Sequence, residues 1–329
     1  MQHHLDSPPL LFSIDLSKPS TCMEFVAFLL LNGISYGLLL FMLSAGLVLI
    51  FGMMGVFHFA HASFYMLGAY FAYTITPWLG FWAALVLSPL GVGVLGAFIE
   101  RYGLRQLGHR AELLITFGVS VIVLELVQLV WGRSSVDYRI PVALEGNLFT
   151  LHGFQFPLYR GFMMGVSLFM LAGLWWVMAR TRVGLVIQAA LTHTQMAEAL
   201  GHNVPQVLTF VFGGGCALAG LAGVMAGNAF VTEPGMAASM GGMIFVVMVV
   251  GGMGSLGGAF VASLLIGVMQ TLVAAMDMSL LSALPWLHFD KHCDALCHIQ
   301  FSQLAPVLPY FLMVLVLMFR PHGMGGKRG

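Results

Sequence analysis

The sequence predicts an all-α fold, a polytopic membrane helix bundle of about eight to nine spans with broken helices among them. Three observations carry that reading. Hydrophobic residues make up 59% of the 329 and charged residues only 8%, against about 25% charged in an average soluble domain, so water is not the main solvent of this surface. Apolar stretches recur at the roughly 20-residue length that a helix needs to cross the hydrocarbon. Basic residues collect in a few segments between those stretches. The 40 glycines fit the same class, because glycine lets helix backbones approach closely where no hydrophobic force drives them together.

Taken in order, residues 1–23 carry Asp6, Pro8, Pro9, Asp15 and Lys18 among apolar neighbours, without the basic start and small-residue cleavage site of a signal peptide. They read as a non-cleaved leader, and residues 24–325 as the membrane domain. Spans are predicted at 25–52, 59–76, 78–99, 113–131, 161–179, 207–230, 240–275 and 305–319. The stretch 240–275 is too long for one crossing and is interrupted by Gly251, Gly252, Gly254, Gly257 and Gly258, so it counts as two half-helices or two short spans.

Orientation follows from charge. Arg101, Arg105 and Arg110 lie in one segment, Arg180 and Arg182 in a second, and Arg320, Lys327 and Arg328 in the tail. By the positive-inside rule these are cytoplasmic, and an even number of spans separates each from the next. Residues 132–159, 231–239 and 277–304 then lie outside, as does the amino terminus if residues 25–52 cross once. Lys+Arg and Asp+Glu are equal at 13 each, so no global basic field exists to attract nucleic acid. Cys22, Cys216, Cys293 and Cys297 are too few and too scattered for a disulfide framework, and Cys216 reads as apolar packing.

Polar residues inside apolar stretches are the candidates for function. Gly52 and Gly55 free the chain at the end of the first span, with Asn32, Ser35, Tyr36, Ser44, His58, His61 and Ser63 beside it. Non-helical backbone at membrane depth persists only where protein buries it or where it lines a cavity, and in transporters such breaks commonly mark the permeation site. The alternative is plain hydrogen bonding between helices. His58 and His61, at i and i+3, read as a structural polar pair. Glu125, in Val121-Ile122-Val123-Leu124-Glu125-Leu126-Val127-Gln128, is expected to face the bundle interior, find a partner or be protonated, since an unpaired carboxylate in a span costs at least a few kcal/mol.

The cytoplasmic segment 181–205 interrupts the lipid-soluble chain with an amphipathic pattern. Met196, Ala197, Leu200 and Val204 fall at helical spacing, Thr194 can cap a short helix over 195–200, and Gly201 can end it. Such a helix is either a knob for a soluble partner or a connector. In the external loop 277–304, His288, His292, Cys293, Cys297 and His298 form a candidate metal constellation, His288/His292 and Cys293/Cys297 each standing at i, i+4.

Absences narrow the classes. Gly326-Lys327 is followed by Arg328, so no phosphate-binding loop ending in Gly-Lys-Ser/Thr occurs, nor H-E-x-x-H or G-x-S-x-G. An enzyme is not expected; a transporter driven by an ion gradient would couple several ionisable residues within its spans, and Glu125 with two histidines supplies few.

Four motifs carry a family resemblance. Met196-Ala197-Glu198-Ala199-Leu200-Gly201 resembles the coupling signature of permeases in ATP-binding cassette importers. The stretch from Gly46 to Tyr70 is similar to the signature of high-affinity branched-chain amino acid permeases of the LivH type, Gly251–Ala259 to their second glycine-rich signature, and Arg320-Pro321-His322-Gly323 to their ending. The likeness covers about residues 25–325, with His58 and Ala62 standing where the family has Asn and Gly.

The resemblance implies import of branched-chain amino acids, or of urea or short amides as in other members, across a bacterial inner membrane. It implies as partners a second permease subunit, identical or homologous, two cytoplasmic ATP-binding subunits holding ATP and Mg, an external solute-binding protein and membrane lipid, with no cofactor bound by this chain. Glu198, Ala199, Leu200 and Gly201 are then the expected coupling residues. Asn32, Ser35, His61, Ser63, Glu125, Gly252, Gly254 and Gly257 are the expected pathway residues.

Overall fold

The structure is a computed structural model and describes residues 19–55, 57–107, 112–151, 154–192, 194–201, 203–276 and 300–325. Its helices are α1 (Pro19–Met54), α2 (His61–Leu79), α3 (Phe81–Ile99), α4 (Arg105–Leu107), α5 (Glu112–Trp131), α6 (Leu158–Arg180), α7 (Arg182–Thr192), α8 (Thr194–Ala199), α9 (Val204–Ala229), α10 (Met236–Gly251), α11 (Leu256–Ala274), α12 (Phe301–Leu304) and α13 (Leu308–Phe319). A π-helical turn, Glu100–Leu104, joins α3 to α4. Six of the described helices are long and apolar enough to cross a membrane, and α10 and α13 are shorter apolar helices.

Each predicted apolar stretch is a helix. The over-long stretch 240–275 resolves into α10 and α11, joined by a turn at 252–255 in which Gly252 and Gly254 have φ of 97° and 88°. Ser255 caps α11 by accepting from the Gly258 N–H at 3.1 Å. The first helix starts at Pro19, six residues before the expected 25 and within the segment read as leader. At 36 residues it is about 54 Å long, well beyond a hydrocarbon core of about 30 Å.

Glycine sets the packing. A methyl added at Gly33 or Gly37 would strike Val268 and Leu264, and Gly52 lies against Gly254, so α1 and α11 run antiparallel. Gly223 faces the backbone of Tyr65 and Ala69, and Gly227 the Ala69 side chain, so α2 runs parallel to α9. Gly96 fits against Cys216 and Gly213 while Gly220 fits against Pro89 and Val92, which makes α3 antiparallel to α9. Backbones meet here because no side chain stands between them.

The core therefore centres on α1, α2 and α9. In α2 every residue from His61 to Tyr70 is buried. The polar His61, Ser63, Tyr65 and Tyr70 of this first half therefore lie in protein, not lipid, while the end of the helix, with Trp78 and Leu79, is exposed. Its Thr74 and Thr76 donate to Tyr70 O and Ala72 O one turn back, at 2.9 and 2.7 Å.

Two ends of the bundle are distinct. At one, Met53 packs with Ala197, Val204 and Leu208, and the Thr209 hydroxyl donates to the buried Glu100 carboxylate; Arg101, Arg105, Arg180, Arg182 and Arg320 belong to this end. At the other, Val136 N–H donates to Thr232 O at 2.9 Å, and a two-stranded antiparallel hairpin, β1 (Asn147–Leu151) and β2 (Phe154–Pro157), stacks Phe149 on Phe156 at 5.4 Å. The hairpin is an addition to the all-α expectation. It forms where the chain leaves the apolar stretches, with Phe149 opposite Phe156 and Thr150 opposite Gln155 across the two strands.

Candidate functional site

The break after α1 lies inside the bundle. Gly55 N–H donates to Phe51 O at 2.8 Å and closes the helix, and the chain turns back so that His61 Nε2 meets Leu43 O at 3.0 Å. Leu43 is eleven residues before Met54, so α2 starts about 16 Å inward from the end of α1. His58 is 1% exposed and stands edge-on to Phe212 with ring centroids 4.6 Å apart and 6.0 Å from the His61 ring. Neither His58 nitrogen has a partner, whereas Ser63 donates to Ser120 O at 3.4 Å and ties α2 to α5. His61 and Ser63 thus hold helices together beside an irregular segment, and Ser44 bonds within its own turn to Phe41 O.

A second polar feature lies at the hairpin end. A cavity of about 390 Å³ opens between α1, α6, α9 and α11, lined on its polar side by Asn32, Ser35, Tyr36, Arg160 and Thr271. Arg160 donates to Asn32 Oδ1, and Asn32 Nδ2 donates to Phe28 O at 3.0 Å. Ser35 is 2% exposed and its hydroxyl has no partner. Asn32 and Ser35 were readable as polar interruptions of a span. Arg160 was not singled out, because a lone arginine at the start of an apolar stretch reads as an interface residue; only folding sets it against α1.

At the arginine-bearing end, α6 turns into α7 at Thr181, whose hydroxyl accepts from Gly184 N–H at 3.1 Å. Helix α8 follows, with Ala197 buried at 2% while Met196 and Leu200 are 65% and 79% exposed. Glu198 and Ala199 are also exposed. The four apolar residues therefore do not share an inward face: Ala197 and Val204 anchor the segment on Met53 and Leu208, and Met196 with Leu200 forms an outward ridge one turn long. Gly201 ends the helix with φ 84° and its N–H on Glu198 O at 2.9 Å. Asn203 then caps α9, its side chain accepting from Gln206 N–H at 3.2 Å. Beside it lies a recess of about 450 Å³ lined by Arg101, Arg105, Asn203, Gln206, Thr209 and Phe210.

The α10–α11 turn sits at this same end, not at mid-depth. Gly252 and Gly258 are buried, Gly254 touches Gly52, and Gly257 is exposed with open space around it. The terminal segment completes the turn: Met324 N–H donates to Val250 O and Gly325 N–H to Gly251 O, both at 2.9 Å. The last carbonyls of a helix have no partner within it, and here the chain's own tail supplies one. The Arg320–Gly323 motif is thereby accounted for as the approach to that cap.

Glu125 departs from expectation. It lies on the exposed face of α5, because α5 packs through Thr116, Val123 and Val127, and Glu125 projects from the opposite side with Ile122 and Leu129. No group of three or more His, Cys, Asp or Glu among the described residues is placed to hold a metal. His288, His292, Cys293, Cys297 and His298 fall outside the described residues.

Comparisons with known proteins point in one direction. The family model for the branched-chain amino acid transport system permease component matches residues 29–317. The chain is 28% identical over 316 residues to the high-affinity branched-chain amino acid transport system permease protein BraD of Pseudomonas aeruginosa, covering 91% of this chain and 95% of that one. It is 26% identical over 328 residues to the permease protein LivH of Escherichia coli K12, covering 92% and 97%. A probable branched-chain amino acid transport permease protein LivH of Methanocaldococcus jannaschii is 26% identical over 201 residues, 58% and 63% of the two chains. No solved structure matches.

Proposed function

Because the chain belongs to the family of branched-chain amino acid transport system permease components, we propose that it is the membrane-spanning subunit of an ATP-driven importer for branched-chain amino acids or a closely related small polar solute. The observation that carries the reading is the family match across almost the whole bundle, joined to an anchored, outward-facing α8 at the arginine-bearing end. That end is cytoplasmic by the positive-inside rule, and the membrane is the bacterial inner membrane.

Two cytoplasmic ATP-binding subunits bind and hydrolyse ATP with Mg, and α8 enters a cleft in one of them. Met196 and Leu200 supply apolar contact, and Glu198 an exposed carboxylate. The neighbouring recess, with Arg101 and Arg105, offers positive charge to the same partner. Movement of α8 passes through Ala197 to Met53 at the end of α1, and so to the break at 55–60 and the α10–α11 turn, where Gly52 meets Gly254. The glycines at 252, 254 and 257 act as the moving joints of the path, and His61 and Ser63 as the ties that hold α2 to its neighbours beside it, rather than as solute ligands. An external solute-binding protein delivers the solute at the hairpin end. The second permease subunit, identical or homologous, covers the α5 face that carries Glu125, which relieves a carboxylate of contact with lipid.

Reconstitution in vesicles tests this. Uptake of radiolabelled L-leucine is expected to require the ATP-binding subunits, the binding protein and ATP on the cytoplasmic side. Uptake driven by a proton or sodium gradient without ATP would overturn the importer reading, and ATP-dependent uptake of urea or acetamide in place of leucine would redirect only the solute.

A further inference from the structure

Among the described residues, the cavity between α1, α6, α9 and α11 is lined by one charged side chain, Arg160, and by no carboxylate. Among the described residues Arg160 hydrogen-bonds Asn32 Oδ1 and makes no ion pair. A guanidinium has five N–H donors and no acceptor, so one bond to a neutral amide leaves most of its capacity, and all of its charge, unanswered. In a half-buried position at the end of an apolar bundle that arrangement favours an anion.

Three further features aim at the same spot. Ser35 stands three residues after Asn32 on the same face of α1, is 2% exposed, and has an unpartnered hydroxyl. A buried hydroxyl without a partner is a group the fold leaves for something else to satisfy. Arg160 is in the first turn of the 23-residue α6, whose dipole favours negative charge at that end. Thr271 and Tyr36 add hydroxyl-bearing side chains to the wall, and Leu29, Met163, Phe230 and Ala274 make the remainder apolar.

We propose that this cavity binds a small anionic head, a phosphodiester or a carboxylate, attached to an apolar body, with Arg160 as the charge partner, Asn32 orienting the guanidinium, and the Ser35 hydroxyl donating to the anion. Two sources carry that chemistry: an outer-leaflet phospholipid, and a free branched-chain amino acid at the outer face of the bundle. The site does not depend on transport, since it is read from binding to the chain alone.

The full chain, purified in detergent, is titrated with dilauroyl phosphatidylglycerol and, separately, with L-leucine, following bound ligand by native mass spectrometry and thermal unfolding. Dilauroylglycerol and L-leucinamide serve as counterparts lacking the anionic group. At least one of the two ligands is expected to bind, to lose about 10- to 100-fold in affinity in Arg160→Gln, the range for a charged hydrogen bond, and to recover part of it in Arg160→Lys. Ser35→Ala is expected to weaken the same ligand severalfold with unfolding of the free protein unchanged, which decides the matter if Arg160→Gln does not fold. Binding of the phospholipid alone identifies a lipid site, and binding of leucine alone a solute site. The proposal is overturned if neither ligand binds, if the counterparts lacking the anionic group bind equally well, or if the Arg160 and Ser35 variants bind as the parent does.

Discussion

Single residues in this bundle matter mostly through the atoms they lack. Gly223 brings α9 onto the backbone of α2 at Tyr65 and Ala69, so the methyl of an alanine has nowhere to go without parting two central helices. Gly223→Ala is expected to lower stability by about 1 to 3 kcal/mol, the usual range for overpacking, measured as a fall in the thermal unfolding midpoint in detergent. Gly173→Ala, in a helix where a methyl meets open space, is the control and is expected to be neutral or to gain up to about 1 kcal/mol from helix propensity. Equal effects of the two would sink the close-packing account. That glycine mattered was legible from its abundance; which glycines matter was not, because the sequence does not say which face of a helix meets another backbone.

At the level of elements, two segments at the arginine-bearing end do different work. Helix α8 is anchored through Ala197 and exposes Met196, Glu198 and Leu200. Replacing Glu198 with Trp, or Met196 and Leu200 together with Asp, is expected to reduce coupled ATPase activity and uptake in parallel while leaving the unfolding midpoint of the isolated chain unchanged. Unimpaired uptake by these variants in vesicles would remove α8 from the coupling. The tail segment, by contrast, is structural. Met324 and Gly325 satisfy the carbonyls of Val250 and Gly251, and Gly323, with φ 74°, packs on Gly252. Gly323→Ala is expected to cost about 1 to 3 kcal/mol, as backbone strain and a broken cap together suggest, read by hydrogen exchange at the end of α10. The α8 segment was visible as an amphipathic interruption, and the tail as a motif. Its capping role was hidden because it joins residues more than seventy positions apart in sequence.

For the whole molecule, charge distribution is the informative quantity. A carboxylate on the outward face of a membrane-length helix is stable only when something covers it or protonates it. If a second permease subunit covers α5, Glu125→Leu is expected to leave the unfolding of the single chain unchanged or improved and to alter the fraction that runs as a pair in cross-linking and size-exclusion experiments. An unchanged pair fraction would place the interface elsewhere. The expectation that Glu125 faces the bundle interior, finds a partner or is protonated rested on the cost of an unpaired carboxylate in a span, and that rule is silent on whether the partner lies within the chain or beyond it.

By itself the sequence determined the class of solvent, the places and approximate ends of the apolar stretches, the breaks at 55–60 and 252–255, and the family, since all of these depend on local composition, spacing and ordered motifs. Tertiary structure alone decided which helices are central, that the first half of α2 is enclosed by protein, that Arg160 stands against Asn32, and that Glu125 points outward. The physical reason is common to the four. Each is a matter of helix rotation and neighbour choice, and a run of apolar residues that suits lipid on every side suits protein equally well.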